Sequence, residues 1–148
     1  MKQSIYLIIL FFFISCNSSK TNSLEIGRKV SSNIEMNTKI NLMVSPSQFE
    51  DCYQVKINNI NYLISIDGNN RIKSIFTYDK KFISPDSIKI GMKLSDVIRL
   101  SKDKTYLING WAYVIPLNSG WNAAFEISNY DSNTLSPDSI VKWMYKRK

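Results

Sequence analysis

The sequence contains no histidine. That absence removes the usual general base, the usual partner of a serine or cysteine nucleophile, and the commonest metal-binding side chain. Cysteine is scarce as well: Cys16 and Cys52 are the two in the chain, so a disulfide framework is excluded. There is no glycine-rich phosphate loop and no dinucleotide fingerprint. Ser119-Gly120 is not a nucleophile elbow, which requires Gly-x-Ser-x-Gly and a histidine elsewhere. Asp67-Gly68-Asn69-Asn70 lacks the further acidic ligands and closing glutamate of a calcium loop, and reads as a hairpin turn. The carboxylates Glu50, Asp51, Asp79 and Asp131 are scattered. A glycosidase needs two carboxyls about 5–10 Å apart, and no spacing here brings a pair together. The expectation is a protein that is not an enzyme and uses neither metal nor cofactor. An enzyme built on carboxylates is the least favoured alternative.

Long hydrophobic runs are also lacking, with one exception at the N-terminus. The chain opens MKQSIYLIILFFFISC. Lys2 gives a positive start, and residues 5–14 are almost entirely apolar. A hydrocarbon core of ~30 Å needs about 20 apolar residues. This run is too short to span it and suits the apolar region of a signal peptide. It ends in Phe13-Ile14-Ser15-Cys16, which resembles the lipobox of bacterial lipoproteins, where a small residue precedes a cysteine. The resemblance implies cleavage between Ser15 and Cys16 and lipid (palmitate included) on Cys16. Acyl chains bury about 0.8 kcal/mol per CH₂, so several on one residue anchor durably. The polar stretch Asn17-Ser18-Ser19-Lys20-Thr21-Asn22-Ser23 has no apolar periodicity and reads as a tether. The expected organisation is a signal peptide over 1–15, a lipidated cysteine and tether over 16–23, and one domain over 24–148.

The 148 residues carry a formal net charge of +7. The basic residues are dispersed apart from Lys80-Lys81 and the terminal Lys146-Arg147-Lys148. Nucleic-acid binding asks for a clustered stripe, so a solvated basic surface is expected and no nucleic-acid partner.

Within the domain there is an internal echo. Ile26-Gly27-Arg28-Lys29-Val30-Ser31-Ser32-Asn33-Ile34-Glu35-Met36 aligns with Ile90-Gly91-Met92-Lys93-Leu94-Ser95-Asp96-Val97-Ile98-Arg99-Leu100. Leu94, Val97 and Ile98 fall on one face of a short helix, and so do Val30 and Ile34. Each glycine suits a turn of unusual φ. After the first helix, strands are expected over 53–57, 60–66 and 71–78, with turns at Asn58-Asn59 and Asp67–Asn70. After the second they are expected over 105–108, 111–117, 121–127 and 139–146, with Asn109-Gly110 read as a type I′ turn. The fold class read from this pattern is α+β: short helices on one face of an antiparallel sheet. Two repeats, 24–78 and 88–146, would each hold a helix and about three strands.

The stretch Ile90-Gly91-Met92-Lys93-Leu94-Ser95-Asp96-Val97, followed by Trp111-Ala112-Tyr113-Val114, resembles the small outer-membrane lipoproteins of the SmpA/OmlA type and the related repeat of β-lactamase-inhibitor-like proteins. The resemblance implies helices packed on an antiparallel sheet. It also implies a non-enzymatic role in the bacterial envelope, with the outer membrane preferred over the inner: protein binding or scaffolding, with inhibition of a target enzyme or immunity as the alternative. A protein partner is expected beside the membrane contact through Cys16. Trp111, Tyr113 and Trp121, on adjacent expected strands, are the candidate partner surface. Cys52 has two acids before it and no histidine, so it reads as a buried strand cysteine.

Overall fold

The computed structural model describes residues 23–101, 103–127 and 135–147. These residues build one eight-stranded sheet and a single helix, in the order β1 (Lys39–Ser45), β2 (Gln48–Ile57), β3 (Ile60–Ile66), β4 (Ile72–Thr77), α1 (Leu94–Ser101), β5 (Tyr106–Ile108), β6 (Ala112–Pro116), β7 (Asn122–Phe125) and β8 (Trp143–Arg147). Every neighbouring pair is antiparallel, and the spatial order is β1-β2-β3-β4-β8-β7-β6-β5. Two four-stranded meanders are therefore joined through their last strands. The sheet curls into a half-barrel, and Trp111, beside β6, donates its indole N–H to the Met43 carbonyl of the far edge strand β1 at 3.2 Å.

This corrects the α+β expectation. Among the described residues the molecule is mostly antiparallel β with one short helix, and the first half contributes four strands where three are expected. The missing strand of the first half is β1, where Ile40, Leu42 and Val44 alternate with polar or weakly apolar neighbours. The expected helix around Val30 and Ile34 does not form. Ser31, Ser32 and Asn33 compete for backbone hydrogen bonds, and the Ile34 N–H bonds the Ser31 carbonyl in a turn. Lys29 instead bridges Arg71. In α1 the corresponding positions are Ser95, Asp96 and Val97. Leu94 and Val97 are buried, while Ile98 is 41% exposed, so the helix buries a narrower stripe than its spacing suggests.

The internal echo has a structural counterpart. The Gly27 N–H bonds the Ile72 carbonyl, and the Gly91 N–H bonds the Val141 carbonyl. Val30 N–H reaches Asn70 as Leu94 N–H reaches Ser139, and Ile72 N–H reaches Arg28 as Val141 N–H reaches Met92. Both glycines have positive φ, +83° and +87°. Each half thus begins with the same turn, pinned to the start of its own last strand.

Turn chemistry sets the hairpins. Asn58 and Asn59 both have positive φ, the signature of a type I′ turn between β2 and β3. At Asn109-Gly110 the glycine has positive φ and the asparagine does not. That turn is not type I′; it leaves a three-residue loop in which Trp111 still belongs to the turn.

The sheet is covered differently on its two faces. The outer face carries Leu94, Val97, Tyr113, Ile115, Phe125 and Met144 around α1, continuous with Val30, Val55, Ile64, Ile72 and Ile75. The inner, concave face carries Val44, Cys52, Phe76, Ala112, Val114, Ala124 and Tyr145.

Candidate functional site

The candidate site lies at one end of the concave face. A β-bulge where β1 turns into β2 displaces Val44 from the ladder, and its carbonyl accepts a hydrogen bond from Arg147 of β8 at 3.1 Å. A second bulge near Ile66 lets Lys73 and Ser74 both approach the concave side. Between these bulges opens a cleft of about 720 Å³, lined by Ser45, Gln48, Glu50, Arg71, Lys73, Ser74 and Arg147 among others.

Glu50 organises the floor. Its carboxylate sits 2.5 Å from the Lys73 ammonium and accepts from the Gln48 amide at 3.0 Å. Ser65 lies close enough to lower its pKa, and the Ser65 and Ser74 hydroxyls are 2.6 Å apart. Burial pushes the Glu50 carboxyl up, but hydrogen bonds from Lys73, Ser65 and Gln48 and the charge of Lys73 outweigh it. The net shift is below the ordinary glutamate value, so the group is ionised at neutral pH. Asp67 on the rim accepts the backbone N–H groups of Asn69 and Arg71.

Aromatic rings back Arg147, the β8 residue that lines the cleft. The Arg147 guanidinium lies 5.5 Å from the ring centre of Trp111 and 5.4 Å from that of Tyr145. Those two rings meet edge to face at 5.0 Å, and Trp143 adds a third ring 5.7 Å from Trp111. These contacts and the bond to the Val44 carbonyl restrict where the Arg147 guanidinium can sit.

The two halves treat this layer differently. Phe76 and Tyr145 are partners across β4 and β8, with Leu63 and Asn122 opposite them on the flanking strands. Following the pairing outward makes Ser74 equivalent to Trp143, Ser65 to Ala124, Cys52 to Val114 and Glu50 to Ala112. One half builds a charged and hydroxylated layer where the other packs two alanines and an indole.

The residues expected to form a partner surface do not share a face. Tyr113 is 7% exposed and packs on the outer face near α1. Trp121 also lies on that side, 4.6 Å from the Phe82 ring. Trp111 lies on the concave face. Parity between Trp111 and Tyr113 fails because Trp111 precedes the strand and follows the turn. Cys52 is fully buried on β2, as a strand cysteine should be. Burial, then the charges of Glu50 and Asp51, push its thiol up to about 11. Cys16 lies outside the described residues. Sequence reasoning missed Glu50, Lys73 and Arg147 as a group; two bulges bring them together.

Comparison with protein-family models, curated proteins and solved structures returned no match for this chain.

Proposed function

We propose that this protein is a lipid-anchored binding protein of a bacterial cell envelope, held to a membrane through Cys16 and carrying a non-catalytic recognition domain. The observation that carries the reading is the N-terminal sequence: a charged start, an apolar run too short to span a bilayer, Ser15-Cys16 and a polar tether. Among the described residues no helix is long and apolar enough to cross a membrane. Lipid on Cys16 confines the domain to a thin layer and raises its effective concentration for anything in that layer. The curled sheet offers its partner the concave cleft, lined by charged and hydroxyl side chains, with Arg147 backed by Trp111 and Tyr145.

The test is intact mass and membrane partitioning of the native protein beside Cys16→Ala. Loss of residues 1–15, a mass gain matching lipid, and release or failed processing of the variant are expected. A soluble product without lipid, unchanged by the substitution, overturns the reading.

A further inference from the structure

We infer that the cleft between the two bulges is a binding site for an oxyanion, a carboxylate or phosphate group presented by its ligand. The inference concerns the cleft and is independent of the anchor at Cys16.

The comparison between the halves is the first support. The equivalents of Glu50, Ser65 and Ser74 are Ala112, Ala124 and Trp143, and that layer packs with no charge in it. The fold therefore has an apolar solution for the layer. A half-buried carboxylate with its lysine is rarely the more stable choice, because desolvation offsets much of the attraction. Stability does not explain why the first half keeps the polar one.

The second support is the arrangement of the cations. Arg71, Lys73 and Arg147 line the same cleft with Glu50 and Asp67. Lys73 is engaged with Glu50, which cancels both charges locally. Asp67 is engaged with turn backbone groups. Arg71 donates one hydrogen bond to the Gly27 carbonyl, and Arg147 one to the Val44 carbonyl. A guanidinium has five N–H donors in a rigid fork that matches carboxylate and phosphate geometry. Arg147 is oriented in advance by Trp111 and Tyr145, so little order is lost when an anion docks. The Gln48 amide gives one N–H to Glu50 and has a second, a neutral donor in the same space. Glu50 holds Lys73 in place, and the pair leaves Arg71 and Arg147 as the cations of the cleft that no carboxylate is shown to neutralise.

The experiment titrates inorganic phosphate, and separately acetate, into the full-length protein in detergent at constant ionic strength in chloride. Trp111 lies under Arg147, so tryptophan fluorescence reports occupancy, and calorimetry gives the stoichiometry. Saturable binding of one anion per chain is expected, from phosphate, acetate or both. Phosphate alone identifies a phosphorylated ligand, and acetate alone a carboxylate ligand. Arg147→Lys keeps the charge but removes the fork, and should weaken binding by about tenfold. Arg71→Gln, away from the aromatic rings, should also weaken it with the fold unchanged by circular dichroism. Lys56→Gln, exposed and outside the cleft, should leave affinity as it was. Absence of saturable binding to either anion overturns the inference. So does a Lys56→Gln loss equal to that of Arg71→Gln, which would mark attraction to overall charge.

Discussion

Phe76 and Tyr145 stand directly opposite each other where β4 meets β8, their rings stacked 5.8 Å apart at 19°, and they are also equivalent positions of the two halves of the chain. A residue paired with its own equivalent marks a local twofold axis. The correspondence of the opening turns assigns the same equivalence independently, because Ile72 and Val141 play the same part in each. The strand order follows: two meanders related by this axis must meet through their last strands and end on their first.

The strand pair with its stacked rings is the ladder joint between the halves, and the Trp111–Met43 and Arg147–Val44 hydrogen bonds reinforce it across the concave face. Both rings are about fully buried, at 1% exposure. Truncating either to alanine should cost about 3–5 kcal/mol through lost burial and the cavity left behind. Urea unfolding should also remain a single transition in the native protein, since the sheet is continuous. Two transitions followed by far-ultraviolet circular dichroism would show that the halves unfold separately.

The sequence made six strands of this sheet legible, from β3 to β8, because their period-2 alternation is bounded by Asn, Gly and Ser turns. It also showed the paired Gly27 and Gly91 turns. β1 is blurred because the neighbours of its alternating Ile40, Leu42 and Val44 are not all polar, and the start of β2 is hidden by Gln48, Glu50 and Asp51, whose polar side chains face the cleft or solvent. The first expected helix was overread: two apolar residues four apart do not nucleate a helix through Ser31-Ser32-Asn33. The cleft itself was illegible. Its Glu50, Lys73 and Arg147 lie on three strands brought together by bulges, and no local pattern encodes that.

Gly27 and Gly91 give a direct probe of the repeat. Both have strongly positive φ, and a Cβ at either would meet nothing within 4 Å. The cost of alanine is therefore conformational rather than steric, about 1 kcal/mol at each position. Gly27→Ala and Gly91→Ala should lower stability by similar amounts, and the double variant by roughly their sum, since the turns are separate. Equilibrium denaturation of the three variants checks this; a single variant losing much more than the other would mean that the turns bear unequal loads.

Glu50 couples the cleft to pH. Its folded pKa is lowered, so its stabilising contribution is complete above the unfolded glutamate value and disappears as pH falls through the folded one. Lys73→Met removes the hydrogen bond and charge that oppose burial. The Glu50 pKa should then rise from its lowered position, and the variant should be less stable than the parent at neutral pH. Carboxyl titration by nuclear magnetic resonance reads the shift; an unmoved Glu50 would show that Ser65 and Gln48 hold the carboxylate without the lysine.

Cys52 works in the opposite sense. Its thiol is pushed up to about 11 from 9.0, so the folded state keeps the proton that the unfolded chain releases. Between about pH 9 and 11 the unfolded state binds fewer protons, and stability should fall as pH rises through that window. At pH 8 the folded protein should resist alkylation at Cys52, and labelling should appear only on unfolding. Mass spectrometry of the peptide containing Cys52 distinguishes this from a reactive thiol.

Trp143 carries the remaining imbalance of the concave face. Its indole N–H is buried without a hydrogen-bond partner among the described residues, while the ring packs between Tyr78 and Trp111. A buried donor without a partner costs about 1–3 kcal/mol, whereas the ring contributes burial and edge contacts. Trp143→Phe keeps an aromatic ring and removes the donor, so it should be neutral or stabilising by about 1 kcal/mol despite the smaller side chain. Trp143→Ala discards both and should destabilise by about 3–5 kcal/mol. The contrast separates the two contributions. If phenylalanine costs nearly as much as alanine, the full size of the indole matters more than its unpaired donor.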